Sequence, residues 1–296
     1  MKIHRLLILL VVFFGIVTTK AEPATQFMTV AFLDIGQGDA TLIRDGNGFD
    51  ILIDGGNKGA GDKIINYMRS VSVDDLEVML ATHADRDHIG GLITILEGGE
   101  IPVESVYYNG YPGATQTWLE FSDAVSTAGL SLNQAQYPDT YTWGGIDVQV
   151  LNPVIGLVDP DQNKASIVLH IDYANRSLLL PGDIDAGIEN QLPNRTTSLQ
   201  ADVLKVAHHG SKNSTSESFL SVVMPLEAVI SVGPNSYGHP AIETISRLEA
   251  ADANIWRTDA VGTILLSTDG ELIEILPKLT FFPFTLHTFH FIDVPE

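Results

Sequence analysis

Short apolar blocks of strand length recur along this chain, each ending in a glycine-rich polar break. The runs 28–34, 40–44 and 49–53 are apolar and β-prone, and Asp45-Gly46-Asn47-Gly48 between the last two is a hairpin signal. Helical spacing follows over 63–71 (Ile64, Ile65, Met68), then a strand over 77–82, a helix over 89–96, a strand over 101–108 and a helix over 117–128. A hairpin over 140–151 turns at Gly144-Gly145, and strands at 166–173 and 177–180 turn at Asn175-Arg176. The last third alternates: a short helix 186–192 stopped by Pro193, strand 202–207, helix 216–223, strand 228–232 and helix 242–251. Closing strands are expected at 255–257, 262–267 and 272–276. No fixed-period repeat or low-complexity linker divides this pattern, which predicts one α/β catalytic domain over 22–280.

Chemistry collects where the predicted strands stop. After the buried-strand run Val78-Met79-Leu80 comes Ala-Thr-His-Ala-Asp-Arg-Asp-His-Ile-Gly-Gly-Leu, with His83, Asp85, Asp87 and His88 inside six residues. In an extended segment residues 83, 85 and 87 point one way while 87 and 88 split, so one loop can feed two metal ions. The Gly90-Gly91 pair would let backbone come close to a bound species. Asp54, Asp183, His208-His209 and His239 also follow strands, and five such coincidences point to one site on one sheet edge. His170, in mid-strand, is expected to be a packed histidine and no ligand.

Charge and the chain ends narrow the picture. Lys2, His4 and Arg5 precede the apolar run 6–17, and Ala21 follows, which is the layout of a cleaved signal peptide over 1–21 and predicts a secreted or periplasmic protein. The run is too short for a membrane span, which needs about 20 residues. There is no cysteine, so neither disulfide nor thiolate ligand contributes. The formal charge is −21, and loss of the three cations Lys2, Arg5 and Lys20 with the leader takes −21 to −24. That argues against generic electrostatic gripping of nucleic acid. A nuclease stays possible, because bound divalent cations supply a local positive field. The segment 281–296, with Phe281, Phe282, Phe284, Phe289 and Phe291, is expected to pack on the core or add an edge strand.

The ligand loop, Gly182-Asp183, His208-His209-Gly210-Ser211 and Gly238-His239-Pro240, in this order, resemble the metallo-β-lactamase superfamily. More narrowly they resemble the C-terminal hydrolase domain of the ComEC competence proteins, a match supported by Phe32–Ala40, Leu52-Ile53-Asp54-Gly55-Gly56, Asp202-Val203-Leu204-Lys205 and Arg257-Thr258-Asp259. The resemblance implies a four-layer αββα sandwich with a dinuclear metal site at one edge. It implies that His83 and Asp85 hold the first ion, Asp87 and His88 the second, and that Asp183 bridges them. His209 is preferred over His208 as the remaining ligand, with His208 near a substrate phosphate, and Asp54 would orient a ligand histidine. Two imidazoles usual in the superfamily are replaced, one by Asp85 and one in the region of Asn163 and Ser166, which makes the first position oxygen-rich. Harder donors shift preference from Zn²⁺ towards Mn²⁺ or Mg²⁺, and the two divalent ions are expected to be Mn²⁺ or Zn²⁺.

The expected activity is metal-dependent hydrolysis of a phosphodiester, DNA or nucleotide fragments above all, by a hydroxide held between the ions. Asp87, His208 and His239 carry the catalytic expectation, and Ser211, Lys212 and Ser214 that of contacts to substrate phosphate. A phosphorylcholine-type phosphoesterase is the nearest rival, followed by a lactonase or β-lactamase. A non-catalytic binding module is disfavoured by the complete ligand set.

Overall fold

The computed structural model describes residues 27–156 and 161–277. The expected signal peptide and aromatic tail therefore lie outside the described residues. Two sheets face each other. One contains β1 (Met28–Phe32), β2 (Thr41–Arg44), β3 (Asp50–Ile53), β4 (Leu76–Ala81), β5 (Val103–Tyr108), β6 (Leu132–Gln134), β14 (Ile264–Thr268) and β15 (Ile273–Pro277), in the order β15-β14-β1-β2-β3-β4-β5-β6. The other contains β7 (Thr140–Trp143), β8 (Ile146–Asn152), β9 (Val168–Tyr173), β10 (Arg176–Leu180), β11 (Val203–Lys205), β12 (Glu227–Ile230) and β13 (Asn254–Arg257), in the order β13-β12-β11-β10-β9-β8-β7.

Strand alternation builds the layers. Ile51, Ile53, Val78 and Leu80 face the second sheet's Leu178, Leu180, Val203 and Val229, and fill the space between the sheets. Leu52 and Met79, one residue out of phase, turn outward onto α1 (Gly61–Ser70), α2 (Arg86–Gly98) and α3 (Gln116–Thr127) through Ile64, Met68, Leu92 and Phe121. Leu179, Leu204, Ala228 and Ile230 turn the other way, onto α4 (Ala186–Glu189), α5 (Glu217–Val223) and α6 (Ile242–Ala250) through Ile188, Phe219 and Leu248. Strands buried on both faces read as continuous apolar runs, which is why the sequence marks them so plainly. The result is an αββα sandwich.

Each sheet is parallel where it matters. β3, β4, β5 and β6 run parallel in the first sheet, and β10, β11, β12 and β13 in the second. Their carboxyl ends gather the loops that bear the chemistry, as in other open α/β sheets.

Three elements differ from the sequence expectation. β6 has no apolar alternation, because Leu132-Asn133-Gln134 is a short, solvent-facing edge. The helix expected over 186–192 is only α4 followed by a 3₁₀ turn over Leu192–Asn194, and Pro193 sits inside that turn, where the fixed φ of proline is tolerated. A single helical turn, α7 (Thr258–Val261), follows β13 and was not expected. Among the described residues, no helix is long and apolar enough to cross a membrane.

Candidate metal centre

Five loop segments converge between the two sheet edges. Asp54 ends β3, His83 follows β4, and Asp87 and His88 open α2. Asp183 follows β10, His208 and His209 follow β11, and Asp39 lies between β1 and β2. Backbone hydrogen bonds bind three of these segments together: Asp39 N donates to Asp87 O (3.1 Å), Gly56 N to Asp39 O (2.8 Å) and Gly55 N to His88 O (2.6 Å). A Cβ at Gly38, whose φ is +128°, would collide with the Asp87 carbonyl, so only glycine permits this approach. The Gly90-Gly91 pair has a different use from the expected one. A side chain there would strike the backbone of Gly55 and Lys58, so the pair lets α2 dock on the Asp54 loop and leaves no imprint on the ligand space.

The hydrogen-bond partners assign the tautomers of three buried imidazoles. Asp54 accepts from His88 Nδ1 at 2.7 Å, and the Ser231 carbonyl accepts from His209 Nδ1 at 3.0 Å. A carbonyl and a carboxylate only accept, so both Nδ1 atoms carry the proton. Thr82 Oγ1 gives its proton to Asp54 (2.7 Å) and therefore accepts from His83 Nδ1 (3.1 Å), with Ser166 Oγ 3.3 Å away. In all three rings Nδ1 is thus the atom engaged with the protein, and Nε2 is the atom left to offer a lone pair to a cation once any proton on it is displaced. All three Nε2 atoms are buried with no hydrogen-bond partner, and so is Asp183 Oδ1. Four buried polar atoms without partners in one place would be a large desolvation penalty in a site meant to stay empty.

The spacing between donors fits cations. Asp183 Oδ2 lies 3.4 Å from His88 Nε2 and 3.5 Å from His209 Nε2, while Asp87 Oδ2 is 3.6 Å from His209 Nε2 and Asp85 Oδ2 is 3.6 Å from His83 Nε2. These separations exceed a hydrogen bond. They match neighbouring ligands on one ion with bonds of about 2.0–2.2 Å, which stand roughly 3–3.5 Å apart. The groupings His83/His88/Asp183 and Asp87/His88/His209 each bring three donor atoms within 4.8 Å of one another. Buried His and Asp clusters that can coordinate two divalent ions are therefore present.

The local field favours positive charge. Burial works to raise the Asp183 carboxyl, but His209 and His88 outweigh it and hold it well below the usual carboxylate range. Burial likewise opposes charge on His88 and His209, yet Asp183 with Asp54, and Asp183 with Asp39, raise both; His209 reaches about 9. Protons collect among these carboxylates for the same reason that divalent cations would.

Sequence reasoning missed Asp39 and Lys205 as site residues. β11 places Val203 between the sheets and Leu204 outward, so Lys205 also points between the sheets. Its buried ammonium contacts Asp39 Oδ2, while Asp39 Oδ1 faces His209 Nδ1 at 3.4 Å. A lone lysine in the buried strand Val-Leu-Lys was the available signal. Asp54, His208 and His209 all hold positive φ (59°, 50° and 53°), a region sparsely used by residues other than glycine. Such strain concentrates where side chains must be aimed.

The expected residues separate on one side of this centre. His208, half-exposed, sets Nε2 3.8 Å from Asp183 Oδ2 and lines a polar cleft of about 300 Å³ with Asn163, Lys164, Asp185 and Asn213. His239 packs edge-on against His208 with ring centroids 5.4 Å apart, and its Nδ1 is buried without a partner. Burial lowers the pKa of both rings. Ser214 is not at the cleft: it is buried and its hydroxyl donates to the Ile184 carbonyl at 2.7 Å. Ser211 is also buried, with Oγ accepting from Asn213 N (3.3 Å). Lys212 is exposed and does not line the cleft, where Asn213 stands instead. Ser211 Oγ thus accepts from its own turn, Ser214 Oγ is tied to the loop after β10, and none of Ser211, Lys212 and Ser214, expected to contact substrate phosphate, lines the cleft. His170 sits in β9 with Nε2 2.8 Å from the Gln200 carbonyl and joins none of the donor groupings.

Comparison with known proteins agrees with this geometry. The family model of the metallo-β-lactamase superfamily matches residues 33–233. ComE operon protein 3 of Bacillus subtilis is 30% identical over 79% of the chain and 32% of its own length. Recombination protein 2 of Haemophilus influenzae is 32% identical over 88% of the chain and 31% of its own length. The chain spans about a third of these curated relatives. Among solved structures, the metallo-β-lactamase fold protein YhfI of Bacillus subtilis superimposes with a TM-score of 0.55 at 11% identity, covering 81% of this chain and 100% of YhfI, a likeness of fold alone. With its buried ligand clusters, the chain belongs to the metallo-β-lactamase superfamily and is a metal-dependent hydrolase.

Proposed function

We propose that this protein is an exported two-ion phosphodiesterase acting on DNA or its fragments, with 22–280 as the catalytic unit. The observation that carries the reading is the convergence of three orphaned Nε2 atoms and an orphaned Asp183 oxygen beside a polar cleft. In this reading His83 and Asp85 hold one ion, Asp87, His88 and His209 the other, and Asp183 serves both. Asp54 orients His88, and Asp39 with Lys205 orients His209. When bound, two divalent ions supply Lewis acidity to a phosphoryl oxygen and activate water as nucleophile.

The chain's own residues supply the rest. His208, on the cleft wall beside Asp183, would contact a non-bridging oxygen, and His239, packed edge-on behind it, holds that ring in place. Lys164 brings a cation to the cleft, and Asn213 a polar contact. Carboxylates outnumber imidazoles at the His83/Asp85 position, which suits oxygen-loving Mn²⁺ better than a site built for amide hydrolysis by Zn²⁺. The choice of DNA is supported by a relative named for recombination. The formal charge of −21 favours a second substrate, a small diester such as a phosphorylcholine group, which needs no long basic groove. Export is supported by the charged start and the apolar run 6–17.

The test is hydrolysis of bis-p-nitrophenyl phosphate by metal-stripped protein given Mn²⁺ or Zn²⁺ separately. Recovery with Mn²⁺ is expected, with single- and double-stranded DNA as the next substrates. No turnover with either metal, in protein carrying two equivalents, would overturn the phosphodiester reading.

A further inference from the structure

Beyond the metal centre, a row of rings leads out to solvent. His208 packs against His239 at 5.4 Å, and His239 against Tyr237 at 5.8 Å with the planes tilted by 33°. Tyr237 is 75% exposed. An exposed tyrosine alone means little, but this one is held still. Asn235 ties its loop in both directions, its Nδ2 donating to the carbonyls of Gly233 (2.9 Å) and His239 (2.8 Å) while its Oδ1 accepts from the backbone N–H of Tyr237 (3.0 Å) and His239 (3.1 Å). The ring is therefore presented to water by a knotted turn, at the end of the row that starts beside Asp183.

We propose that Tyr237 is a stacking platform for the base next to the scissile phosphate, so that the substrate is an unpaired nucleotide end or single strand; this rests on the phosphodiesterase reading above. A nucleotide carries its flat base one sugar away from its phosphate. In this proposal a phosphate at His208 sends its base along the imidazole row towards Tyr237, on the side of His208 away from the cleft wall of Asn163, Lys164 and Asn213. The charge of the chain makes such a contact necessary. With 37 acidic against 16 basic residues, the surface offers no electrostatic funnel for a phosphate backbone. Binding that tolerates any sequence must then come from the cations at the centre and from base stacking, which every base can provide. A base inside a duplex is stacked on both faces and has none to offer. Stacking also separates nucleotides from a plain alkyl ester, which has no flat face; a choline's quaternary ammonium would meet the ring by cation–π attraction instead.

The experiment compares full-length metal-loaded protein on a dT oligomer and on the same backbone lacking bases (tetrahydrofuran residues). Wild type should show a KM for the dT oligomer roughly tenfold lower than for the abasic one, the affinity of about one stacked base. Tyr237→Ala should erase that ratio by raising KM on dT with kcat little changed, and Tyr237→Phe should restore it. Equal KM values for the two oligomers in wild type would overturn the stacking role while leaving the phosphodiesterase intact. A fall in kcat on both oligomers alike in Tyr237→Ala would show that the ring only shapes the loop, and would also overturn it. If wild type cleaves neither oligomer but hydrolyses bis-p-nitrophenyl phosphate, DNA is not the substrate and the platform falls with it.

Discussion

The two halves of the metal centre are built differently. Around Asp87, His88 and His209 the imidazoles are buried, each Nδ1 is pinned by an acceptor, and a lysine–aspartate pair stands behind. Around His83 and Asp85 a single imidazole meets a carboxylate whose side chain is 44% exposed. Rigid, pre-aimed donors lose little freedom on binding, whereas Asp85 must be ordered from solvent. The closed half should bind its ion tightly, and the open half should bind weakly and exchange. The same contrast runs through the histidine pair: His209 is buried with its partners fixed, and His208 stands free at the cleft.

The largest break comes from the closed half. Asp87→Ala should remove the tightly held equivalent and abolish hydrolysis in a folded protein, read by metal analysis and turnover; unchanged activity would refute the ligand assignment. Next is the buried pair. Lys205→Ala leaves Asp39 uncompensated between the sheets and should cost about 3–5 kcal/mol of stability, measured by urea unfolding. Lys205→Ala together with Asp39→Ala should recover part of that loss, and strict additivity would show that the two groups do not interact. His208→Ala should lower kcat by about 10²–10³-fold while both metal equivalents remain, a separation that calorimetry and kinetics resolve.

Protons sharpen the contrast more gently. His88 and His209 are raised by their carboxylate neighbours, so in metal-free protein both are charged at neutral pH. Their contribution to stability is full below the ordinary histidine pKa and is lost as pH climbs through the raised values, about 9 for His209. Loading at pH 7 should therefore expel about two protons, seen as a buffer-dependent heat when Hepes and Tris titrations are compared. No buffer dependence would mean that the rings are neutral beforehand. The smallest effect is expected at His170→Ala, which should leave metal content unchanged.

Strand ends were legible because a buried run that stops at Asp-Gly or His-x-Asp-x-Asp-His has no packing reason to do so. The doubly buried strands β3, β4 and β11 made the sandwich readable for the same cause. Long-range pairings were not legible: Lys205 meets Asp39 across 166 residues, and Ser166 reaches His83 across 83. Nothing local announces either. The bonding of the turn 211–214 was not legible, because Ser and Lys look alike in a phosphate clamp and in a packed turn, and the Ser214 bond to the Ile184 carbonyl, 30 residues away, has no local signal. The edge strand β6 escaped notice because its polar residues carry no period.

The claim that one half is closed and the other open is tested most directly by calorimetric titration of metal-stripped protein with Mn²⁺, beside the Asp85→Ala variant. Two resolved equivalents are predicted, with Asp85→Ala losing only the weaker. A single equivalent in wild type, or loss of the tighter one in Asp85→Ala, would contradict the account.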